Sequence, residues 1–270
     1  MKRILITGAN SYIGTSFERY VKDNLSDEYA VDTVDMIDGS WREKDFSRYD
    51  SVFHVAGIAH RKETAENAHL YYEINCNLAV ETAKKAKESG VGQFVFLSSM
   101  SVYGKETGVI TKDTPLAPNT NYGHSKAEAE EKLSELSSPD FKVCILRPPM
   151  VYGDGCKGNY QTIVKIVERL PIFPYVNNRR SVVHIDNLVK FVAAVIDRNL
   201  DGVHFPQNPT YANTRELAYD IAQQKGKKIY FSYLCGLAVI LLRPFFSILK
   251  KAFGNLVYKD TETFDCEEKQ

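Results

Sequence analysis

Little is in excess in this 270-residue chain, and what is scarce is informative. Net charge is missing: 34 Lys and Arg balance 34 Asp and Glu. That argues against a nucleic-acid partner or a wholly basic membrane-coating surface, while leaving room for a local basic pocket. Cysteine is sparse. The five thiols (Cys76, Cys144, Cys156, Cys235, Cys266) are odd in number and form no CxxC pair. This argues against a disulfide framework and a zinc site, and fits a reducing cytoplasm. His54, His60 and His184 show no ligand spacing, so no metal is expected; His54 and His184 read as packed or hydrogen-bonded strand residues. No charged-then-apolar leader precedes the first strand-like run, so a secretory signal is not expected. Long hydrophobic runs are missing too. The longest apolar stretch, 229–242, is shorter than the roughly 20 residues of a spanning helix. Arg243 and Pro244 then interrupt it. Segment 229–253 reads as a packed helix of a small lobe, with an interfacial membrane helix or a weak partner contact as the other readings.

What is present is a regular alternation. Short apolar runs such as "RILIT", "SVFHV", "QFVFL" and "KVCIL" alternate with amphipathic stretches, including 12–25, 67–89 and 121–135. Strands apolar on both faces, separated by helices, imply a parallel sheet covered on both sides. The expected fold is α/β: a Rossmann-type doubly wound parallel sheet with a small C-terminal α/β lobe. Residues 1–153 would form the dinucleotide-binding domain. Residues 154–270 would form mainly the substrate lobe, with segments near 180–200 packing back on the sheet. Ligands of such sheets sit at the carboxyl ends of the strands.

The first turn after a strand reads "TGANSYIG" (7–14). Strand, tight turn and helix present free backbone N–H groups to an anion. Gly8 suits the tight turn and Gly14 the close packing inside the helix, with Asn10, Ser11, Tyr12 and Ile13 between them. Ser11 stands where a middle glycine is usual, and its hydroxyl can cap the helix. Asp35 ends the second strand at the distance of a ribose-binding acid, with Asp32 and Asp38 as alternatives. A carboxylate there favours NAD, with NADP as the alternative. Further on, "YGHSK" puts Tyr122 and Lys126 four apart on one helix face. An ammonium beside a phenol lowers the phenol's pKa and lets it act as an acid or base. "FLSSMSVYG" delivers Ser98 and Ser99 at a strand end, where a hydroxyl can hold a substrate oxygen. Tyr103 and Tyr152, each followed by glycine, read as loop-shaping residues.

In that order the motifs resemble the extended short-chain dehydrogenase/reductases, the NAD-dependent epimerase/dehydratase group, from residue 1 to about 217. The resemblance implies further roles. "KDF" is similar to the segment that contacts adenine through Asp45 and Phe46. "FHVAGIAH" resembles the strand end that passes under the cofactor, here Ala56, Gly57 and Ile58. "YYEINCNLAVETAKKA" is similar to the helix with the family's asparagine, Asn75. "LSSMSVYG" and "YGHSK" imply the catalytic residues Ser99, Tyr122 and Lys126. "LRPPMVYG" implies a nicotinamide contact at Pro149 and a substrate contact at Met150. "RSVVHIDNL" implies a diphosphate-binding Arg180, and Asn159 would face the sugar or diphosphate. A homodimer through helices near 67–89 and 121–137 is implied as well.

The implied reaction is hydride exchange at C4 of a nucleoside-diphosphate sugar, with UDP as the expected carrier. The family's 4,6-dehydratases carry an Asp–Glu pair where this chain has Met100 and Ser101, which argues against dehydration. Many 4-epimerases of the family have asparagine where this chain has Met150. "RPPMVYGDGCKGNY", with "NRRS" and "IDNL", resembles 4-keto-reductases of bacterial polysaccharide pathways, so the expectation is reduction of a 4-keto-6-deoxy-hexosamine in bacterial polysaccharide precursor synthesis. The alternatives are a UDP-hexose or UDP-N-acetylhexosamine 4-epimerase and a catalytically idle dinucleotide-binding regulator.

Overall fold

The computed structural model describes residues 1–59 and 63–259, so His60 and Cys266 lie outside the described residues. The chain opens with β1 (Lys2–Thr7), α1 (Tyr12–Asn24), β2 (Tyr29–Val34) and β3 (Ser51–His54). Next comes a helical rod of α2 (Ala68–Tyr72), a π-helical turn (Glu73–Asn77) and α3 (Leu78–Glu88). Then follow β4 (Gln93–Leu97), β5 (Gly108–Ile110), α4 (Asn121–Ser134), β6 (Lys142–Leu146) and β7 (Met150–Tyr152). Six of these and later strands form one parallel sheet in the order β10-β6-β4-β3-β1-β2, with β10 at Gly202–His204. The chain winds outward from β1 in both directions, as the apolar alternation implied.

Burial explains the strands. Ile4, Leu5 and Ile6 of β1, and Phe94, Val95 and Phe96 of β4, are almost fully buried, so both faces of the sheet must be covered. One face is covered by α3 and α4, whose Ala79, Ala83, Ala86 and Ala129 let the helices approach closely. Trp41 and Phe46 fill the rest of that layer. The other face is covered by α1 through Phe17 and Val21, and by a helix from the second half of the chain. The stretch expected as a single helix over 67–89 is interrupted by its π turn, which turns Asn75 fully inward. Such one-residue insertions recur at functional sites.

The second half supplies α5 (Asn159–Arg169), β8 (Ile172–Pro174), β9 (Val182–His184), α6 (Ile185–Asp197), β10 and α7 (Thr214–Gln224). It ends with β11 (Tyr230–Ser232), α8 (Tyr233–Leu242), α9 (Ser247–Phe253) and β12 (Leu256–Tyr258). Helix α6 is apolar along most of its length and joins the α1 face of the sheet, while β9 pairs with β7 in parallel. A separate apolar cluster holds α5, α7, β8 and the start of β12's approach through Phe253. Strand β12 returns to pair with β5, carrying Tyr258 into a small buried cluster with Val102, Tyr103 and Phe205. Helix α8 departs from the packed helix expected there: of its residues only Gly236 is fully buried, and it spans ten residues. Among the described residues no helix is long and apolar enough to cross a membrane.

Gln93 joins the two halves of the fold. Its amide nitrogen donates to the Val195 carbonyl at 3.1 Å and the Leu200 carbonyl at 2.9 Å, and its oxygen accepts from Ser51 Oγ at 3.0 Å. The side chain is buried, so an apolar replacement leaves two carbonyls and a hydroxyl without partners. Gln93→Leu is expected to destabilise the protein by about 1–3 kcal/mol. Denaturant unfolding monitored by circular dichroism checks this, and an unchanged midpoint would refute it.

Candidate active site

The turn after β1 is shaped for close backbone approach. Gly8 has φ of 108°, and a Cβ there would lie 2.8 Å from the Ala56 nitrogen, so no side chain fits. The N–H groups of Gly8 and Ala9 donate to the Val34 carbonyl at 3.0 and 3.1 Å, fastening the turn to the end of β2. Asn10 takes a left-handed φ of 64°, which asparagine tolerates. Ser11 is the N-cap of α1, and its Oγ accepts from the Gly14 N–H at 3.1 Å. A Cβ on Gly14 would stand 2.6 Å from that oxygen, so the serine and the second glycine fit as a pair. The capped hydroxyl leaves the first-turn N–H groups of Tyr12 and Ile13 as donors for an anion. The Tyr12 side chain turns away from that role. Its hydroxyl is buried beside Gly153, and burial pushes its pKa up to about 12. The Ile13 side chain packs into the α1 face of the core.

Asp35 follows Val34 directly, so the acid stands next to the strand end on which the glycine turn hangs. One of its oxygens accepts from the Ile37 N–H at 2.9 Å. Asp32 is turned to the Tyr49 hydroxyl, and Asp38 to Ser40. Asp45 accepts from the N–H and hydroxyl of Ser47 and pairs with Arg48 at 3.2 Å. The Phe46 ring is fully buried, with Lys85 above it, so what Phe46 offers outward is its backbone.

Asn75 does not face the sheet edge itself. Its oxygen accepts from the Ile58 N–H at 2.8 Å, and its nitrogen donates to the Ile58 carbonyl at 3.1 Å and Ser125 Oγ at 3.2 Å. It therefore positions the Ala56-Gly57-Ile58 turn and clamps it to α4. A Cβ on Gly57 would lie 2.8 Å from the Asn75 oxygen and 3.5 Å from Lys126 Nζ, so this turn lies against the lysine.

Helix α4 begins under two caps. Thr120 Oγ1 accepts from the Gly123 N–H at 3.0 Å. The Glu63 carboxylate accepts from the N–H groups of Asn121 and Tyr122 at 3.0 and 3.2 Å. Glu63 escaped sequence reasoning because it lies 59 residues before Tyr122 in a segment without periodicity. The Ser99 hydroxyl lies beside the Tyr122 phenol and acts to lower its pKa, while donating to Ser101 Oγ at 3.2 Å. Ser99 also caps the short 3-10 turn Met100–Tyr103, and the Met100 N–H donates to the Pro148 carbonyl at 2.9 Å. The ends of β4 and β6 are thus joined where Ser99 meets the buried Pro149.

One expectation changes. Lys126 was expected to hold its ammonium beside the phenol and lower the phenol's pKa. Its long stem instead carries Nζ to the Leu97 carbonyl at 2.8 Å, above the Phe96 ring. Burial raises the Tyr122 pKa, and the neighbouring Ser99 hydroxyl opposes that rise. Burial also lowers Lys126 to about 7, with Glu130 one turn further pulling the other way. His54 lies fully buried nearby, its Nδ1 2.7 Å from Thr7 Oγ1 and its ring stacked on Phe94, as a packed strand residue.

On the lobe side, Met150 opens β7 opposite Val182 and lies partly buried. Asn159 is the first residue of α5; its side chain is outside the described ones. Arg180 bridges to Ala212 and Leu256, and its Nη1 donates to the Gly254 carbonyl at 2.9 Å. His184 caps α6 and meets Tyr152 edge-on. Beneath Ser99, Ser98 Oγ donates to Glu130, which receives two hydrogen bonds from Arg147 Nε at 3.0 and 3.1 Å. Among the described residues no cluster of three His, Cys, Asp or Glu side chains could hold a metal ion.

A parallel doubly wound sheet with a glycine turn, and a hydroxyl pair beside a buried lysine at its carboxyl edge, define a dinucleotide-binding α/β enzyme. Residues 4–207 match the family model described as the NAD dependent epimerase/dehydratase family. This chain belongs to that family. It is 35% identical over 222 residues to UDP-glucose 4-epimerase of Vibrio cholerae, covering 73% of this chain and 67% of that one. It is 24% identical over 271 residues to N-acetyl-alpha-D-glucosaminyl-diphospho-ditrans,octacis-undecaprenol 4-epimerase of Escherichia coli O157:H7, covering 93% and 81%. Matches to several other curated 4-epimerases span about half of those proteins. The fold is that of UDP-glucuronic acid 4-epimerase from Bacillus cereus in complex with NAD, with a TM-score of 0.71, 20% identity and coverage of 93% and 94%. Structures of this fold hold NAD or NADP. The tight turn at Gly8, packed against Ala56, and the free first-turn N–H groups of Tyr12 and Ile13 suit such a dinucleotide.

Two outcomes test this geometry. Because the Ser11 hydroxyl is engaged with Gly14, Ser11→Gly is expected to bind NAD as tightly as the wild type or more tightly, with stability changed by only about a few tenths of a kcal/mol. Isothermal titration checks it; a clear loss of affinity would make the hydroxyl a phosphate ligand. Lys126 titrates at about 10.4 in an unfolded chain and near 7 when folded. The unfolded chain therefore holds more protons between those values, and wild-type stability rises with pH across that window. The stability advantage of Lys126→Met over the wild type should shrink from pH ~7 to pH ~10. A pH-independent difference in guanidinium unfolding would contradict the buried-lysine assignment.

Proposed function

We propose that this protein carries out oxidoreduction at C4 of a nucleoside-diphosphate sugar, with UDP as the carrier. The observation that carries this reading is the placement of the Ser99 hydroxyl beside the Tyr122 phenol, with buried Lys126 one turn along the same helix at the carboxyl edge of the sheet. The bound nicotinamide would supply or accept the hydride. Tyr122 would exchange the proton of the O4 hydroxyl, and Ser99 would hold the same oxygen. Lys126, fixed by Leu97 against the Gly57 turn, would hold the nicotinamide ribose. Tyr12, Ile13 and Asp35 would hold the pyrophosphate and adenosine ribose. Met150 and Asn159 would face the sugar, and Arg180 the diphosphate. Burial keeps the Tyr122 phenol protonated, the form that the reductive direction starts from.

Two outcomes of this chemistry share the site. Met150 at the nicotinamide strand end, and the likeness of "RPPMVYGDGCKGNY" and "NRRS" to 4-keto-reductases, favour reduction of a 4-keto-6-deoxy-hexosamine. The Vibrio and Escherichia relatives, both named 4-epimerases, favour epimerisation. The second of these names a polyprenyl-diphosphate sugar, and the apolar surface of α8 and α9 makes a lipid-linked sugar the variant reading of the substrate carrier.

Mass spectrometry separates them. UDP-4-keto-6-deoxy-GlcNAc with NAD(P)H is expected to gain about two mass units, as net hydride and proton addition requires. A C4 isomer of UDP-Glc or UDP-GlcNAc formed without net redox would establish the epimerase instead. Tyr122→Phe is expected to lose about 10²–10⁴-fold in turnover while keeping NAD affinity. If wild type binds NAD but converts no sugar, the protein is a dinucleotide-binding regulator.

A further inference from the structure

The segment that the catalytic reading leaves unused is the surface of α8 and α9. Helix α8 carries no charged side chain over its ten residues, and it meets the lobe mainly where Gly236 lies against the Tyr175 carbonyl. Outward stand Leu234, Leu237, Leu241, Phe245, Phe246 and Ile248, with Leu234 81% and Phe245 79% exposed. Surfaces of this size on one soluble chain mark a contact. A helix that docks on a protein usually keeps a polar back; this one is apolar around its exposed circumference.

Charge decides the occupant. From 221 to 259 the chain carries seven Lys and Arg and no Asp or Glu. Lys225 pairs with Glu168 and Lys251 with Glu106, while Lys228 and Lys250 have no ion-pair partner among the described residues. Beside the apolar face a cavity of about 330 Å³ is lined by Arg243, Lys250, Asn255 and the Thr107-Gly108 backbone. Glu106 sits at its margin, taken up by Ser247 and Lys251. A two-fold dimer through this face would bring the basic rim against itself. An apolar plane flanked by cations fits a bilayer surface instead, its cavity sized for an anionic headgroup phosphate. The helix is too short to span, so it would lie in the interface plane.

We propose that α8 and α9 dock the protein on an anionic lipid bilayer, with α8 buried in the headgroup layer and Arg243 and Lys250 holding lipid phosphate. The proposal does not depend on the substrate reading above. It sets the active site near the membrane, because the Gly254 carbonyl that ends α9 accepts from Arg180. Vesicle flotation tests it, using phosphatidylcholine alone and phosphatidylcholine mixed with phosphatidylglycerol. The full chain is expected to float with the mixed vesicles, less with the neutral ones, and less at high salt. Leu241→Ser with Phe245→Ser should reduce binding roughly tenfold or more, and Lys228→Glu with Lys250→Glu should remove the phosphatidylglycerol preference. Because Lys228, Leu241 and Phe245 are exposed and Lys250 is only half-buried, NAD affinity and thermal unfolding should match the wild type and report an intact fold. Absence of flotation overturns the proposal. So does wild-type flotation by the Leu241→Ser, Phe245→Ser variant, or a solution dimer that the same two changes disperse.

Discussion

The site rests on one buried charge pair. Glu130 is 3% exposed and would be costly to bury alone; Arg147 meets it with both Nε and Nη2. Around that pair further groups join the network. Ser98 donates to Glu130, Arg147 Nη1 donates to the Tyr103 hydroxyl at 2.6 Å, and Tyr258 donates to the Arg147 carbonyl at 2.9 Å. Four elements meet there: the end of β4 next to Ser99, α4 one turn past Lys126, the end of β6 before Pro149, and β12 from the C-terminal end. A pair that tolerates so little displacement sets the distance between the serine strand and the tyrosine helix. Its field also opposes the desolvation that lowers Lys126.

Asn75 applies the same logic on the other side of α4. A fully buried amide needs all its hydrogen bonds met, and the partners here are the two backbone groups of Ile58 and the Ser125 hydroxyl. The π turn that rotates Asn75 inward is what makes this geometry reachable from a helix. The cofactor-side turn and the catalytic helix are thus registered to each other by one side chain that touches neither reacting atom. Glu63 adds a third constraint, holding the N–H of Tyr122 itself.

Much of this was legible in the sequence because it is written at short range. The strand–glycine–helix turn, the Ser11 cap, the apolar strands and the four-residue Tyr122–Lys126 spacing all depend on neighbours within a few positions. What was not legible depends on residues far apart. Glu63 reaches Tyr122 across a segment with no pattern. Strand β12 pairs with β5 although residues 256 and 108 stand 148 positions apart, and nothing in "LVY" reveals its partner. The direction of Lys126 also escaped the spacing argument, since sharing a helix face does not fix where a four-carbon stem ends. Phe46 shows the converse: the motif is present, but its ring serves the core.

The C-terminal segment shows why the fold and the chemistry are easier to read than the ligand. The proposed catalytic groups sit on sheet ends and on α4, elements whose burial fixes their sequence. Arg180 instead takes its orientation from Gly254, its strand bridges from Ala212 and Leu256, and its setting from helices that expose most of their apolar residues. A diphosphate held there would be read by a strap that the sheet does not constrain. Changes along α8 and α9 can therefore alter which carrier the sugar arrives on while leaving the Ser99–Tyr122 geometry untouched. That separation follows from where the buried hydrogen bonds lie: dense around Ser98, Glu130, Arg147 and Tyr258, and sparse along α8.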